Sequence, residues 1–403
     1  EAQILREKVL GKEHPNYAET LINMALLYTD MGKFEKAEPL FSELFKVEQT
    51  LIANALHHLS EREMNIYLNQ HSERQNHILS FAQKTKSKKS IPTCFDNSLF
   101  YKGFLLNAAN QVKRLALSDS SSTEKYNRLK GFERRLAAQY TKPISERDSA
   151  TVDALETQAN DLEKGLARTV SGFGEAMRQV NWEEVRQNLK ADEAAVEFVQ
   201  YRYYDKKQTD STMYAALLLR PTDAAPTFVS LCQETDLQAL LQDKAGNKKQ
   251  FFDRIYRGKK SQRGLTPNAK KNLKSLYPLI WQPLDSLLGG VRRVYYSPAG
   301  LLHQLNLAAL PVSKNETLGD RLELVQLGST RQLVVPTQGT FGASDAIVFG
   351  GIRYEADSTA VALADTSEAL AFRSSSTFNE LTRSLRSGAW PYLEDTEKEA
   401  SEI

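Results

Sequence analysis

VYYSPAGLLHQLNLAAL, residues 294–310, is the stretch on which the reading of this chain turns. An apolar run of strand length meets a tight turn through Pro298 and Gly300, then returns as a leucine-rich segment. His303 lies inside that return. As a catalytic base it needs a nucleophile within hydrogen-bond reach, and no cysteine stands nearby in the sequence. Its neighbours Leu301, Leu302, Leu305 and Leu307 favour a packing position instead.

Outward from this stretch, strand and helix patterns alternate. AAVEFVQYRYY (194–204) and MYAALLLR (213–220) are β-rich runs separated by the polar KKQTDST, which reads as a hairpin. PTFVSLC (226–232) gives a third strand, and LQALLQ a helix. NLKSLYPLIWQPLDSLL (272–288) is an amphipathic helix turned at Pro278 and Pro283. VRRVYYSP (291–298), LELVQLGST (322–330) and SDAIVFGG (344–351) read as further strands. The alternation predicts an α/β layer with a mainly parallel sheet.

The sequence before residue 190 has a helical period. In NYAETLINMALLYTDMGKFEKAEPLFSELFKVEQ (16–49) two helices pair around DMGK. Leu21, Met24, Ala25 and Tyr28 recur at i, i+3, i+4 and i+7, one apolar face. Ala25 and Ala37 allow close approach, and Gly32 suits the left-handed position past a helix end. This is a tetratricopeptide (TPR) unit. AQILREKVLGKEHP (2–15) matches the second helix of a preceding unit. Leu5 aligns with Val47 and Val9 with Leu51, a period of about 42 against about 34 for the standard repeat. Further on, Ser60 before Glu61 and Glu63 reads as a helix cap or a turn, KTKSKKS (84–90) is a polar break, and NSLFYKGFLLNAANQVKRLALS (97–118) reads as a long amphipathic helix. SDSSST (118–123) reads as a loop, and residues 124–140 and 150–173 as a helical hairpin.

Composition excludes several classes. Lys+Arg at 52 and Asp+Glu at 50 nearly cancel over 403 residues, so bulk charge gives no nucleic-acid footprint. No apolar run nears the ~20 residues that cross a bilayer. Two cysteines make no disulfide framework and fit a reducing, cytoplasmic setting.

The motifs, taken in order, resemble one family. VYYSPAGLLHQLNLAAL, DAIVFGGIRY and WPYLEDTEKEASEI, behind ALHHLSEREMNIYL, LFYKGFLLNAANQVKRLAL, LEKGLARTV and NLKADEAAVEFVQY, resemble the TPR–CHAT proteins. In these a caspase-like peptidase domain follows TPR helices. REKVLGKEHPNYAETL resembles the longer-looped repeats of kinesin light chains. The resemblance implies a caspase-like half without catalytic residues, then an active half with a His–Cys dyad. In the family the dyad stands in phrases such as ATHG and SAC, and this sequence contains neither. It therefore implies a multidomain chain. TPR repeats occupy 1–52, a helical linker 53–190, the degenerate caspase-like half 191–340, and the start of the active half 341–403. The first and last residues both fall within apparent helices, so the chain is expected to be cut from a longer one. The implied function is a TPR-regulated caspase-like cysteine endopeptidase, here without its dyad and inactive alone. Its expected partners are a protein or peptide on the concave TPR surface and a protein substrate for the parent, with no membrane. Bacterial relatives often act in defence or programmed death. An alternative is a TPR scaffold whose CHAT module is wholly degenerate and only binds proteins. A processed product paired with a separate catalytic subunit is a third.

No residue is assigned a catalytic, cofactor or metal role. Cys94 lies in the helical region and Cys232 near a strand end, and a buried free cysteine usually packs as a small hydrophobe. His57, His58, His71 and His77 are spread along helical sequence. His57 and Glu61 have i, i+4 spacing but lack a third ligand, so a solvated face accounts for them. Gly350-Gly351 lacks the Gly-Lys-Ser/Thr of a phosphate loop. The basic run 244–263 reads as a solvated loop, although Phe251, Phe252 and Tyr256 would suit base stacking.

Overall fold

The computed structural model describes residues 2–56, 58–102, 120–140, 142, 144–169, 179–241, 276–313 and 316–335. A helical N-terminal region precedes an α/β region with a five-stranded mixed sheet. The chain divides into two compact units, 1–112 with 171–337, and 113–170 with 338–403.

The first unit opens with α1 (Ala2–Leu10), α2 (Pro15–Asp30) and α3 (Phe34–Leu56). Pro15 starts α2, where its missing N–H costs nothing, and the His14 ring accepts the Asn16 N–H at 3.1 Å. Gly32 turns the chain at φ +70°, as the sequence predicts. Ala25 and Ala37 are wholly buried where the two helices meet. α4 (Glu61–Thr85) begins on a reciprocal cap between Ser60 and Glu63. It ends in left-handed Lys86, within the polar break. α5 (Ser90–Tyr101) starts seven residues before the expected helix at 97, and residues 103–119 of that expectation lie outside the described residues.

β1 (Glu193–Asp205) and β2 (Lys207–Leu219) form the predicted hairpin, but KKQTDST is not its loop. Lys206 alone makes the turn at φ +60°, and residues 207–212 continue as strand. Backbone pairing does not require apolar side chains, and this end of the ribbon is largely exposed. β3 (Thr227–Gln233) pairs antiparallel with β2, while β4 (Arg293–Ser297) pairs parallel with β1, and β5 (Glu323–Gln326) parallel with β4. The order is β3-β2-β1-β4-β5. The sheet is thus mixed rather than mainly parallel. Short links join β1, β2 and β3, and only antiparallel neighbours can be joined so briefly.

Both faces of the sheet are covered. Ala195, Val199, Tyr201, Ala215, Leu217 and Leu219 share a core with α2–α5 and with the segment that carries α8 (Trp182–Gln187). Ala194, Val196, Phe198, Ala216 and Leu218 pack on the opposite side against residues 276–288. There a helical turn at 276–280 breaks at Trp281 before α10 (Gln282–Asp285), close to Pro278 and Pro283 as expected. Trp281 is completely buried, its ring centroid 6.4 Å from that of Phe198. α9 (Glu234–Leu241) and α11 (Leu318–Arg321) complete this layer through Leu237 and Leu318.

In the second unit α6 (Ser120–Tyr140) and α7 (Ser149–Thr169) pack as a hairpin around Leu129, Phe132, Leu155, Ala159 and Leu166. SDSSST is no loop throughout, because Ser120, Ser121 and Ser122 open α6, and serine suits the start of a helix. SDAIVFGG and TEKEASEI lie outside the described residues.

Candidate functional site

The quoted stretch forms β4 and the turns at its carboxyl end. Gly300 adopts φ +52° because the backbone passes against the Tyr214 hydroxyl, which accepts the Leu301 N–H at 2.9 Å. Residues 300–304 then make a 3-10 turn. Its three-residue repeat directs Leu302 and Leu305 into the core and leaves His303 exposed. His303 is therefore not the packed histidine that its neighbours suggest. Partial burial, and then the Lys102 charge, lower its pKa.

The two thiols are sealed. Cys94 is 1% exposed in α5, with Sγ 3.8 Å from the Ile78 carbonyl, and burial pushes its pKa far up. Cys232, paired with Tyr214 across β3 and β2, is pushed up to about 12 by burial and then by Asp236. A nucleophilic cysteine needs thiolate character and access, and neither site provides them.

The remaining histidines divide. His58 is exposed. His71 is not on a solvated face: it is buried with Nδ1 3.3 Å from Glu48 Oε1, an oxygen that also accepts from Arg74 at 2.8 Å. His77 packs edge-on to Tyr204, and burial lowers its pKa. His57 and the Glu61 side chain lie outside the described residues, as do Gly350, Gly351 and the basic run with Phe251, Phe252 and Tyr256. Among the described residues no three His, Cys, Asp or Glu side chains are grouped to hold a metal.

Among the described residues a dense polar cluster lies elsewhere, where β1 and β4 run parallel. Alternation along β1 sends Glu197 toward the helical layer, between Ala195 and Val199, and it is completely buried. Its Oε2 accepts from Lys102 Nζ at 2.9 Å and Ser98 Oγ at 3.2 Å. Its Oε1 accepts the Thr330 N–H at 2.6 Å, the Thr330 hydroxyl at 2.7 Å and the Ser329 hydroxyl at 3.2 Å. Lys102 also donates to the carbonyls of Phe198 (2.6 Å) and Ser297 (3.0 Å) and to Ser297 Oγ (2.9 Å). Burial lowers the Lys102 pKa, and Glu197 opposes that shift.

An amine beside a serine hydroxyl is one way to activate a nucleophile. Here Ser297 is completely buried and its hydroxyl donates to the Gly328 carbonyl at 2.9 Å. That proton is committed to holding the chain, and no substrate reaches the oxygen. The cluster is a structural tie at the carboxyl ends of parallel strands, the position where open α/β sheets carry their sites. Sequence reasoning missed it. The available signal was the single charge in the otherwise apolar AAVEFV.

Comparison of the chain with protein-family models, with curated proteins and with solved structures finds no match.

Proposed function

We propose that this chain is the TPR-bearing, non-catalytic part of a caspase-like cysteine endopeptidase of the CHAT class. What carries the reading is the ordered set of motifs, together with the strand–turn–strand form of residues 293–326, in which β4 and β5 lie parallel. Pairing of helices 15–30 and 34–56 around Gly32 supports the TPR assignment. Both cysteines of the sequence are sealed, so on this reading the dyad lies outside these residues. A protein or peptide engages the TPR helices and controls the parent enzyme, whose substrate is a protein. The setting is cytoplasmic. Among the described residues no helix is long and apolar enough to cross a membrane.

The sealed thiols equally favour a second reading, a TPR scaffold whose α/β part serves only in protein binding. The discriminating experiment isolates the native polypeptide through an antibody to residues 1–102 and assays it beside the 403-residue chain. The peptidase reading expects cleavage by the native material that a thiol-directed electrophile abolishes, and none by the chain alone. No such cleavage in either sample leaves the scaffold. Thiol-dependent cleavage by the 403-residue chain itself overturns the assignment of its residues.

A further inference from the structure

Glu197 joins two parts of the first unit in an unusual way. Each of its carboxylate oxygens serves a different one. Both donors to Oε2, Ser98 and Lys102, come from α5 and its first following residue. All three donors to Oε1 come from Ser329 and Thr330.

Those last residues lie past the end of the sheet. The β1–β4 register stops at Glu197 and Ser297, and the β4–β5 register at Tyr296 and Gln326. One more backbone bond follows, from the Leu327 N–H to the Tyr296 carbonyl at 2.8 Å. From Gly328 onward side chains make the polar ties to the sheet, while residues 329–335 keep backbone bonds among themselves. Ser297 Oγ donates to the Gly328 carbonyl, Gln332 Oε1 accepts the Gly328 N–H at 3.0 Å, and Glu197 holds 329 and 330.

We propose that the Lys102–Glu197 pair is a latch, by which the end of α5 holds the turns at the carboxyl ends of β4 and β5, and that drawing α5 away releases those turns while the sheet stays paired. Displacement of α5 removes both donors to Oε2 and leaves half of a buried carboxylate bare. A buried charge without partners is strongly disfavoured, so the carboxylate must turn toward water, and Oε1 then leaves the 329–330 turn. Lys102 is the member built to withdraw. Its side chain is 19% exposed where Glu197 is 0%, and its amine rides on a flexible four-carbon stem. The backbone at Lys102 has already left the helix, at φ −71° and ψ 114°. Well-packed apolar residues often stabilise as well as a buried ion pair, whose better attested use is to fix a register or a switch. Control of a peptidase by this route rests on the function proposed above. The latch itself does not.

Hydrogen exchange of the 403-residue chain, read by mass spectrometry, tests it without any activity assay. In Lys102→Met the amides of residues 328–333 are expected to lose about tenfold or more protection beyond the loss at 195–199 and 215–219, which follow only the fall in global stability. Ser98→Ala removes one neutral donor and leaves the ion pair, so it tests the same geometry in a gently altered fold. There the same segment is expected to exchange about threefold faster. Unchanged exchange at 328–333 in Ser98→Ala, or a loss of protection at 328–333 no greater than that of the sheet in either variant, overturns the latch. Such a failure leaves the peptidase reading untouched, because that reading is judged by thiol-dependent cleavage.

Discussion

Changing Glu197 to glutamine should destabilise the native chain but stabilise a chain that already lacks Lys102. Lys102→Met leaves Glu197 fully buried with four of its five donors, the Ser98 hydroxyl and the three groups from Ser329 and Thr330. Breaking a buried pair from one side costs about 3–5 kcal/mol, because the remaining charge is uncompensated. Glu197→Gln is milder. It keeps an acceptor for the Thr330 N–H and leaves Lys102 with the Phe198 and Ser297 oxygens and partial access to water. We expect about 1–3 kcal/mol, the range for losing a charged hydrogen bond. In the double variant both charges are gone, so adding Glu197→Gln to Lys102→Met should recover about 1–2 kcal/mol. Urea unfolding followed by far-UV circular dichroism on the four proteins gives the cycle. The reasoning fails if Glu197→Gln lowers the stability of the Lys102→Met protein further, or if Lys102→Met alone costs under about 1 kcal/mol, the level of an exposed ion pair.

Two further outcomes follow from the same core. Asp96 of α5 accepts the Trp182 N–H at 2.7 Å, and burial pushes its carboxyl up to about 7 against the pull of that donor. The folded chain therefore holds a proton between pH ~4 and ~7 that the unfolded chain releases, so this group lowers stability as pH rises through that window. Asp96→Asn, which does not titrate but keeps an acceptor, should gain on the native chain from pH 5 to pH 8 in thermal melts; a gain that shrinks with pH would contradict the assignment. Gly300→Ala should cost about 2–4 kcal/mol, from left-handed strain and overpacking together, because its methyl meets the Tyr214 hydroxyl and lies 2.6 Å from Gln200 Oε1. A melt within error of the native one would show that this turn has room.

Local signals served where the cause is local. Gly32 between two apolar faces, Ser60 ahead of Glu63, and the prolines flanking Trp281 each act within a turn of chain, and the structure has those features in place. The hairpin was legible from the apolar runs of β1 and β2, but its turn was not. Pairing extends through Thr212, Gln208 and Lys207 on backbone bonds that composition does not mark. His303 was misread for a related reason. Leucines on both sides suggest burial, yet a 3-10 turn places 302 and 305 on one side and 303 on the other. The Glu197 tie was out of reach because its partners stand 95 residues before it (197 − 102) and 133 after it (330 − 197), joined only by folding. A lone acid in an apolar strand announces that some partner exists. It does not say which lysine.

The claim that the rest depends on is that neither thiol of this chain acts as a nucleophile. Timed alkylation of the native protein at pH 7, read by mass at Cys94 and Cys232, tests it most directly. The account predicts that both stay unmodified until urea unfolds the chain. Rapid stoichiometric alkylation of either cysteine in the folded protein would contradict it.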